Sequence, residues 1–247
     1  RMVGSRDSIS ECNVVLNTIA AEAFKEACDR LEKADDFEMA VHDLIKEYAI
    51  DHQRIVFNGN GYAPEWAEEA KRRGLPNLPS MVDAIPALTT DKAVKLFEEF
   101  HVFTKTELES RAEIQYEIYA KAVNIEAKTM IDLATKQIIP AVVRYTTVLA
   151  DSVNTVRAVG DIDVSVQLEL LKKCSALLKT TNSAMKNLSD VVAKVSEIPE
   201  GRERAIYCKD IVCKAMTELR TPVDELEMLV DKSMWPMPSY GDLIFEV

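Results

Sequence analysis

The residues of this chain that could do chemistry are few and widely spaced. Its histidines are His42, His52 and His101. None stands in a His-Glu-x-x-His pattern or beside a second ligand at metal spacing, so each reads as a surface or half-buried imidazole. No serine lies in Gly-x-Ser-x-Gly, and no His/Asp pair sits where it would arm a nucleophile. Asn58-Gly59-Asn60-Gly61 could present backbone N–H groups to a phosphate, but a P-loop must end in Gly-Lys-Ser/Thr and open a helix, and Tyr62-Ala63-Pro64 follows here. That quartet reads as a turn. Lys71-Arg72-Arg73 falls where a helix should end, and cations there offset the macrodipole. Glu98, Glu99, Glu107, Glu109 and Glu113 read as a solvated acidic face before they read as acid/base pairs. The five cysteines, Cys12, Cys28, Cys174, Cys208 and Cys213, include no Cys-x-x-Cys. Cys208 and Cys213 lie five apart, about 140° round an ideal α-helix, so they are expected on different faces, which argues against a redox or metal pair. Free thiols packed as small hydrophobes are expected.

The elements that must position these groups are helices. Only 7 Gly and 9 Pro occur in 247 residues, so the chain has few places to reverse and should run in long helices. Charged residues at 29% and hydrophobic ones at 47% exclude wholesale disorder. A net charge of −11 repels phosphate backbones and anionic lipid, so neither nucleic acid nor a membrane is an expected partner. The longest apolar runs, such as Ile138 to Val143, fall far short of the ~20 residues that span a bilayer. No apolar stretch near the N-terminus resembles a secretory signal, which gives cytoplasm as the expected address. The chain opens on Arg1, and the expectation is the C-terminal piece of a longer polypeptide or the product of leader removal.

Apolar spacing predicts a helix from Asn13, its expected N-cap, to about Ala34, and a second capped by Asp35 or Asp36, the two forming an antiparallel pair. Arg54 to Phe57 is a short strand candidate. Pro64 should open a helix that ends at Gly74. Pro76, Pro79 and Pro86 mark loops, and a domain boundary is placed near residue 87, giving domains 1–87 and 88–247. A helix follows from Thr90 to Phe100, and Thr104 and Glu107 form a capping box opening a helix to about Val159, kinked at Pro140. Val164, Leu168, Leu171, Leu178, Met185, Leu188, Val192 and Val195 form a heptad seam. After a turn at Glu197–Gly201, Ile206 to Val230 runs back along it, with a kink at Thr221-Pro222. The expected fold is therefore mainly α, with a long antiparallel bundle over residues 104–232. No repeat of fixed period points to a solenoid. Trp235 to Val247 offers Trp, Tyr, Leu and Phe on an extended path; it either seals its own bundle or docks on a neighbouring subunit.

These residues also carry a family resemblance. Arg1-Met2-Val3-Gly4-Ser5 with Asn13 to Ile19, Phe57-Asn58-Gly59-Asn60-Gly61-Tyr62 with Trp66, and Arg73-Gly74-Leu75 resemble the late part of a type III glutamine synthetase. Glu107 to Arg111, Asn124 to Ala127, Ile139-Pro140-Ala141, Trp235-Pro236 and Tyr240 to Leu243 resemble the C-terminal helical region of that family. The resemblance implies a longer enzyme that joins glutamate and ammonia using ATP and a divalent metal (Mg or Mn), passes through a γ-glutamyl phosphate, and assembles as a homo-oligomer of stacked rings. It implies that residues 1–87 end an α+β catalytic domain whose remainder is the missing N-terminal part of the same polypeptide. It implies one site residue here: Arg1 resembles the last arginine of an Arg-x-Glu-x-Arg-type motif, which would touch the glutamate substrate or its acyl phosphate. Gly4 to Asn13 is given no role. No metal ligand is expected within the chain, and the fragment alone is expected to be inactive. The competing expectation is a stand-alone, non-enzymatic helical interaction module.

Overall fold

The computed structural model describes residues 8–245, and every regular element among them is helical. The chain divides into two compact units, Arg1–Ala112 and Glu113–Val247. The first unit contains α1 (Ser10–Leu31), α2 (Phe37–Asp51), α3 (Pro64–Arg72), α4 (Met81–Ala84), α5 (Asp91–Glu99) and the start of α6 (Lys105–Leu133). Local capping chemistry sets most of these ends. Asp36 accepts the Met39 N–H at 3.1 Å, Thr90 the Ala93 N–H at 3.3 Å, and Ser80 the Asp83 N–H at 3.1 Å. Glu107 accepts the Thr104 N–H at 2.7 Å while Thr104 Oγ1 accepts the Glu107 N–H at 3.3 Å, the reciprocal pair that the spacing predicts.

Two expectations fail here for identifiable reasons. Asn13 is not a cap: α1 starts earlier, and the Asn13 N–H already donates to the Ile9 carbonyl at 3.0 Å. The strand expected at Arg54–Phe57 does not form. Gln53–Ile55 is a 3-10 turn, the described residues contain no strand to pair with it, and Arg73 takes the carbonyls of Arg54 and Val56 that a ladder would have used.

In the second unit α6 passes through a π-helical turn, Ala134–Ile138, into α7 (Ile139–Val159). Pro140 has no N–H to give the carbonyl four residues back, and the widened turn lies where that bond is lost. The chain returns as α8 (Ser165–Ala193), turns, and runs back through α9 (Arg202–Tyr207), a second π turn (Cys208–Val212) and α10 (Cys213–Glu227). Pro222 sits buried inside α10, which continues past it. α8 packs against both α7 and α10.

The buried line of α8 is Cys174, Thr181 and Leu188, extended by Val195 in the 3-10 turn that follows, at intervals of seven residues. The sequence seam contained Leu188 and Val195, together with Val164 and Val192, which are also buried, but not Cys174 or Thr181; Leu168, Leu171, Leu178 and Met185 are only half-buried. Small side chains at the innermost positions let neighbouring helices come close, which pushes the larger leucines to the flanks. Two clusters result. Ala120, Val123 and Ala127 of α6 pack with Leu188, Val192, Val212 and Leu219, while Ile138 and Val142 pack with Cys174, Leu226 and Val230.

At the α8–α9 turn Gly201 has φ +84°, open to glycine without strain, and Arg204 closes the turn by donating from Nε and Nη2 to the Ile198 carbonyl at 2.9 and 2.7 Å. Met234 and Trp235 pack on the second cluster, with Trp235 Nε1 donating to Glu227 Oε1 at 3.1 Å, so Trp235 seals its own bundle. Tyr240, Leu243, Ile244 and Phe245 of α11 (Tyr240–Phe245) remain exposed.

Thr181 is fully buried, yet its hydroxyl makes no hydrogen bond. An unsatisfied buried hydroxyl costs about 1–3 kcal/mol, so Thr181→Val, which keeps the shape and removes the hydroxyl, should raise stability by about 1 kcal/mol. Thermal unfolding of the chain checks this; an unchanged or lower midpoint would show that the hydroxyl is satisfied.

Candidate functional site

The densest polar arrangement in the first unit is built from the segment Phe57–Gly74. Phe57 stacks on Trp66 with ring centroids 4.1 Å apart and planes 24° from parallel. Gly59 permits this, because a Cβ there would stand 2.5 Å from Phe57 Cζ. Asn60 Oδ1 accepts the Tyr62 N–H at 3.0 Å, and Pro64 then opens α3 from its first position. α3 ends with Gly74 at φ +71°, its N–H donating to the Lys71 carbonyl at 3.0 Å and the Leu75 N–H to the Ala70 carbonyl at 2.9 Å, a Schellman closure. That closure brings Arg73 back over the rings, its guanidinium carbon 5.9 Å from the Phe57 centroid and 5.7 Å from that of Trp66.

Arg73 then spends its donors inside this knot. Nη1 donates to the carbonyls of Val56 at 2.8 Å and Arg54 at 3.2 Å, and Nε donates to Glu69 Oε1 at 2.5 Å. Glu69 also receives Arg72 Nε at 2.7 Å and Nη2 at 2.6 Å. Hydrogen bonds from Arg72 and Arg73 hold the Glu69 carboxyl down to about 2. What looked like a solvated basic helix end is therefore a clamp: it ties α3 to the segment before the turn and leaves Arg73 little capacity for an anionic ligand.

The other candidates do not converge on one place. His42 lies exposed with Nδ1 3.2 Å from Asp43 Oδ1, His52 tilts against Tyr48 at 5.8 Å, and His101 follows α5 at φ +52°. Among the described residues no group of three or more His, Cys, Asp and Glu could hold a metal ion. The acidic residues are committed separately: Glu98 accepts the Lys105 N–H at 3.1 Å, Glu99 pairs with Lys25 at 2.7 Å, Glu107 serves its cap, Glu109 faces Lys105 at 3.8 Å, and Glu113 lies beside Gly201. Arg1 lies outside the described residues.

The cysteine expectation needs two corrections. Cys174 and Cys208 are buried and Cys213 is half-buried, but Cys12 and Cys28 are exposed. Cys208 and Cys213 also share one core cluster, because the π turn between them adds a residue to the turn and brings positions five apart towards the same face. Burial pushes the Cys208 thiol up to about 11, which leaves almost no thiolate at neutral pH.

One cleft was not expected. A space of about 250 Å³ lies in the second unit beside Glu117, Lys121, Asn124, Lys128, Glu200 and Arg204. Asn124 Oδ1 is buried in it without a hydrogen bond, while Lys121 pairs with Glu117 and Arg204 with Glu200 at 3.0 Å. The spacing of positions 117, 121, 124 and 128 places them on one stripe of α6, a polar signal legible in the sequence.

Comparison with known proteins bears on the whole chain. Residues 40–157 match the glutamine synthetase C-terminal domain. The chain is 33% identical to the type-3 glutamine synthetase of Dictyostelium discoideum over 99% of its own length and 34% of that protein. It is 34% identical to the glutamine synthetase of Butyrivibrio fibrisolvens over 86% of this chain and 31% of that protein. The glutamine synthetase of Bacteroides fragilis (strain YCH46) is 27% identical over 99% of this chain and 35% of its own length. The chain thus spans about a third of the curated relatives it matches.

The clamp makes a prediction about acid. Glu69 is held below its ordinary value of 4.5, so its contribution to stability is complete above about pH 4.5 and fades as pH falls towards 2. Glu69→Gln should therefore melt below the parent at neutral pH, with the gap closing between those two pH values. A gap independent of pH would show that the two arginines do not depend on the ionised carboxylate.

Proposed function

From a chain that belongs to the glutamine synthetase family, through its C-terminal domain over residues 40–157 and its likeness to type-3 enzymes along almost its whole length, we propose that it works as one portion of a longer glutamate–ammonia ligase. The activity is the ATP-dependent ligation of ammonia to glutamate, in a cytoplasmic homo-oligomer of stacked rings. In this reading residues 1–87 close the catalytic domain and residues 88–247 form the helical domain. The observation that carries it is the match to the type-3 glutamine synthetase of Dictyostelium discoideum over 99% of this chain but 34% of that protein.

ATP and a divalent metal are, in this reading, held mainly by residues other than the described ones. The described residues hold no cluster of metal-binding side chains, and the glycine-rich turn at Asn58–Gly61 is closed by Asn60 Oδ1 on the Tyr62 N–H. Those groups belong, in this reading, to the remainder of the catalytic part. Arg1 is the one residue assigned to the chemistry: its guanidinium would receive the substrate carboxylate or the acyl phosphate, for which a planar fork of N–H donors is suited. In this reading the role of the second unit is architectural: Arg204 closes the α8–α9 turn, and Lys121 with Glu117 and Arg220 with Asp224 form surface pairs.

Residues 1–247 should form no glutamine from glutamate, ammonia and ATP with Mg or Mn, whereas the native polypeptide that carries them should. Glutamine formed by the chain alone above a no-protein control would overturn this division. The intact mass of the native polypeptide separates the readings: a value well above 27.7 kDa supports a synthetase portion, and one near 27.7 kDa supports a stand-alone interaction module. Deleting Trp235 to Val247 should lower the assembly mass of the native protein. An unchanged oligomer would leave the exposed face of α11 without a role between subunits.

A further inference from the structure

The cleft beside α6 lies wholly within the second unit, and its walls are unevenly satisfied. Ala120, Val192 and Val195 give it an apolar floor, each of them buried. Lys121 is paired with Glu117 and Arg204 with Glu200, and Arg204 also donates from Nε and Nη2 to the Ile198 carbonyl. Two groups of the lining are left over. Lys128 enters no ion pair among the described residues, and Asn124 Oδ1 is buried without a hydrogen bond. The three cations and two carboxylates of the lining leave one positive charge in excess, about one helical turn from that acceptor. A buried carbonyl oxygen without a donor has given up water and gained nothing in return. The space of about 250 Å³ is far more than a single water needs.

We propose that this cleft binds a small monoanion of the 2-hydroxycarboxylate class, with its carboxylate on Lys128 and its hydroxyl donating to Asn124 Oδ1. Each half of that ligand answers one leftover group. A single negative charge neutralises the excess cation without drawing Lys121 or Arg204 from their partners, and the O–H supplies the donor that the amide oxygen lacks. The ligand carries the two functions on adjacent carbons. Asn124 and Lys128 are i, i+4 neighbours with Cβ atoms about 5–6 Å apart, and the flexible lysine stem brings its ammonium to the carboxylate. The short carbon chain rests on Ala120, Val192 and Val195. A 2-amino acid offers the same carboxylate but is neutral overall, so it would leave the excess charge of the lining in place. This site goes beyond the synthetase reading and does not rest on it.

Four small probes separate the contributions: L-lactate, propionate without the hydroxyl, lactamide without the charge, and L-alanine with an ammonium in place of the hydroxyl. Each is titrated into isotope-labelled residues 1–247, and the backbone amide resonances of Asn124, Lys128, Ser196 and Gly201 report binding. L-Lactate should shift them saturably below about 10 mM, and propionate and lactamide should bind at least about tenfold more weakly. Lys128→Gln and Asn124→Leu should each weaken L-lactate at least about tenfold. Lys128 is exposed, so Lys128→Gln should melt with the parent chain and lose only the ligand. Equal affinity for L-lactate and propionate, or unchanged L-lactate binding by either variant, overturns the proposal. Tighter binding of L-alanine overturns the monoanion and gives an ammonium to Glu117 and Glu200 instead. No saturable shift with any probe shows that the cleft holds water only, and overturns it too. Glutamine formation by the native polypeptide is a separate measurement, so the two readings stand or fall apart.

Discussion

The seven-residue line of Cys174, Thr181, Leu188 and Val195 is the constraint on which the second unit is built. α8 lies between α7 and α10, so its buried line must serve both neighbours at once. A seven-residue repeat drifts about 20° per heptad on a straight α-helix, and helices that follow it must either coil or adjust their own register. α8 itself is regular throughout, and the adjustments fall on its neighbours. Both π turns, Ala134–Ile138 ahead of α7 and Cys208–Val212 ahead of α10, place residues in the same cluster as Leu188 and Val195. Each inserts one residue into its turn and so re-aims the helix that follows along the seam.

What could be read from the sequence is what local chemistry decides. Asp36, Thr90, Thr104 with Glu107, Pro64 and Gly74 each satisfy or forgo a backbone group within a few residues, and the structure uses all of them as the spacing predicts. The heptad period was legible for the same reason. Its deepest register was not, because Thr181 is polar, Cys174 is small, and both positions are chosen by how closely helices can approach. The strand at Arg54–Phe57 failed on a long-range contact, since the donor that claims its carbonyls is Arg73, 17 and 19 residues away. The same contact explains why the Phe57–Gly74 motif was visible as a set of residues and invisible as a clamp. Cys208 and Cys213 were assigned to different faces on the geometry of an ideal α-helix, and a π turn is the departure that this geometry cannot anticipate.

Surface electrostatics add little to either unit's cohesion. Lys121 with Glu117, Lys136 with Asp132, and Arg220 with Asp224 are exposed i, i+4 pairs that screen readily in salt. Arg30 with Glu47 and Lys25 with Glu99 differ in joining separate helices, α1 to α2 and α1 to α5.

The two units are unequal in core. Among the described residues, the largest fully buried side chains of the first unit are Ile85 and Leu108. The second unit has Val142, Cys174, Thr181, Leu188, Cys208, Val212, Leu219 and Leu226. The first helix of the first unit buries Thr18 and exposes Leu16 and Phe24, while the unit's polar clamp is complete. Local bonds of that kind hold segments in shape, but the hydrophobic term that stabilises a domain scales with area removed from water. The second unit meets that requirement by itself. The first unit relies more on such local bonds, with a smaller buried interior whose deepest side chains are Ile85 and Leu108.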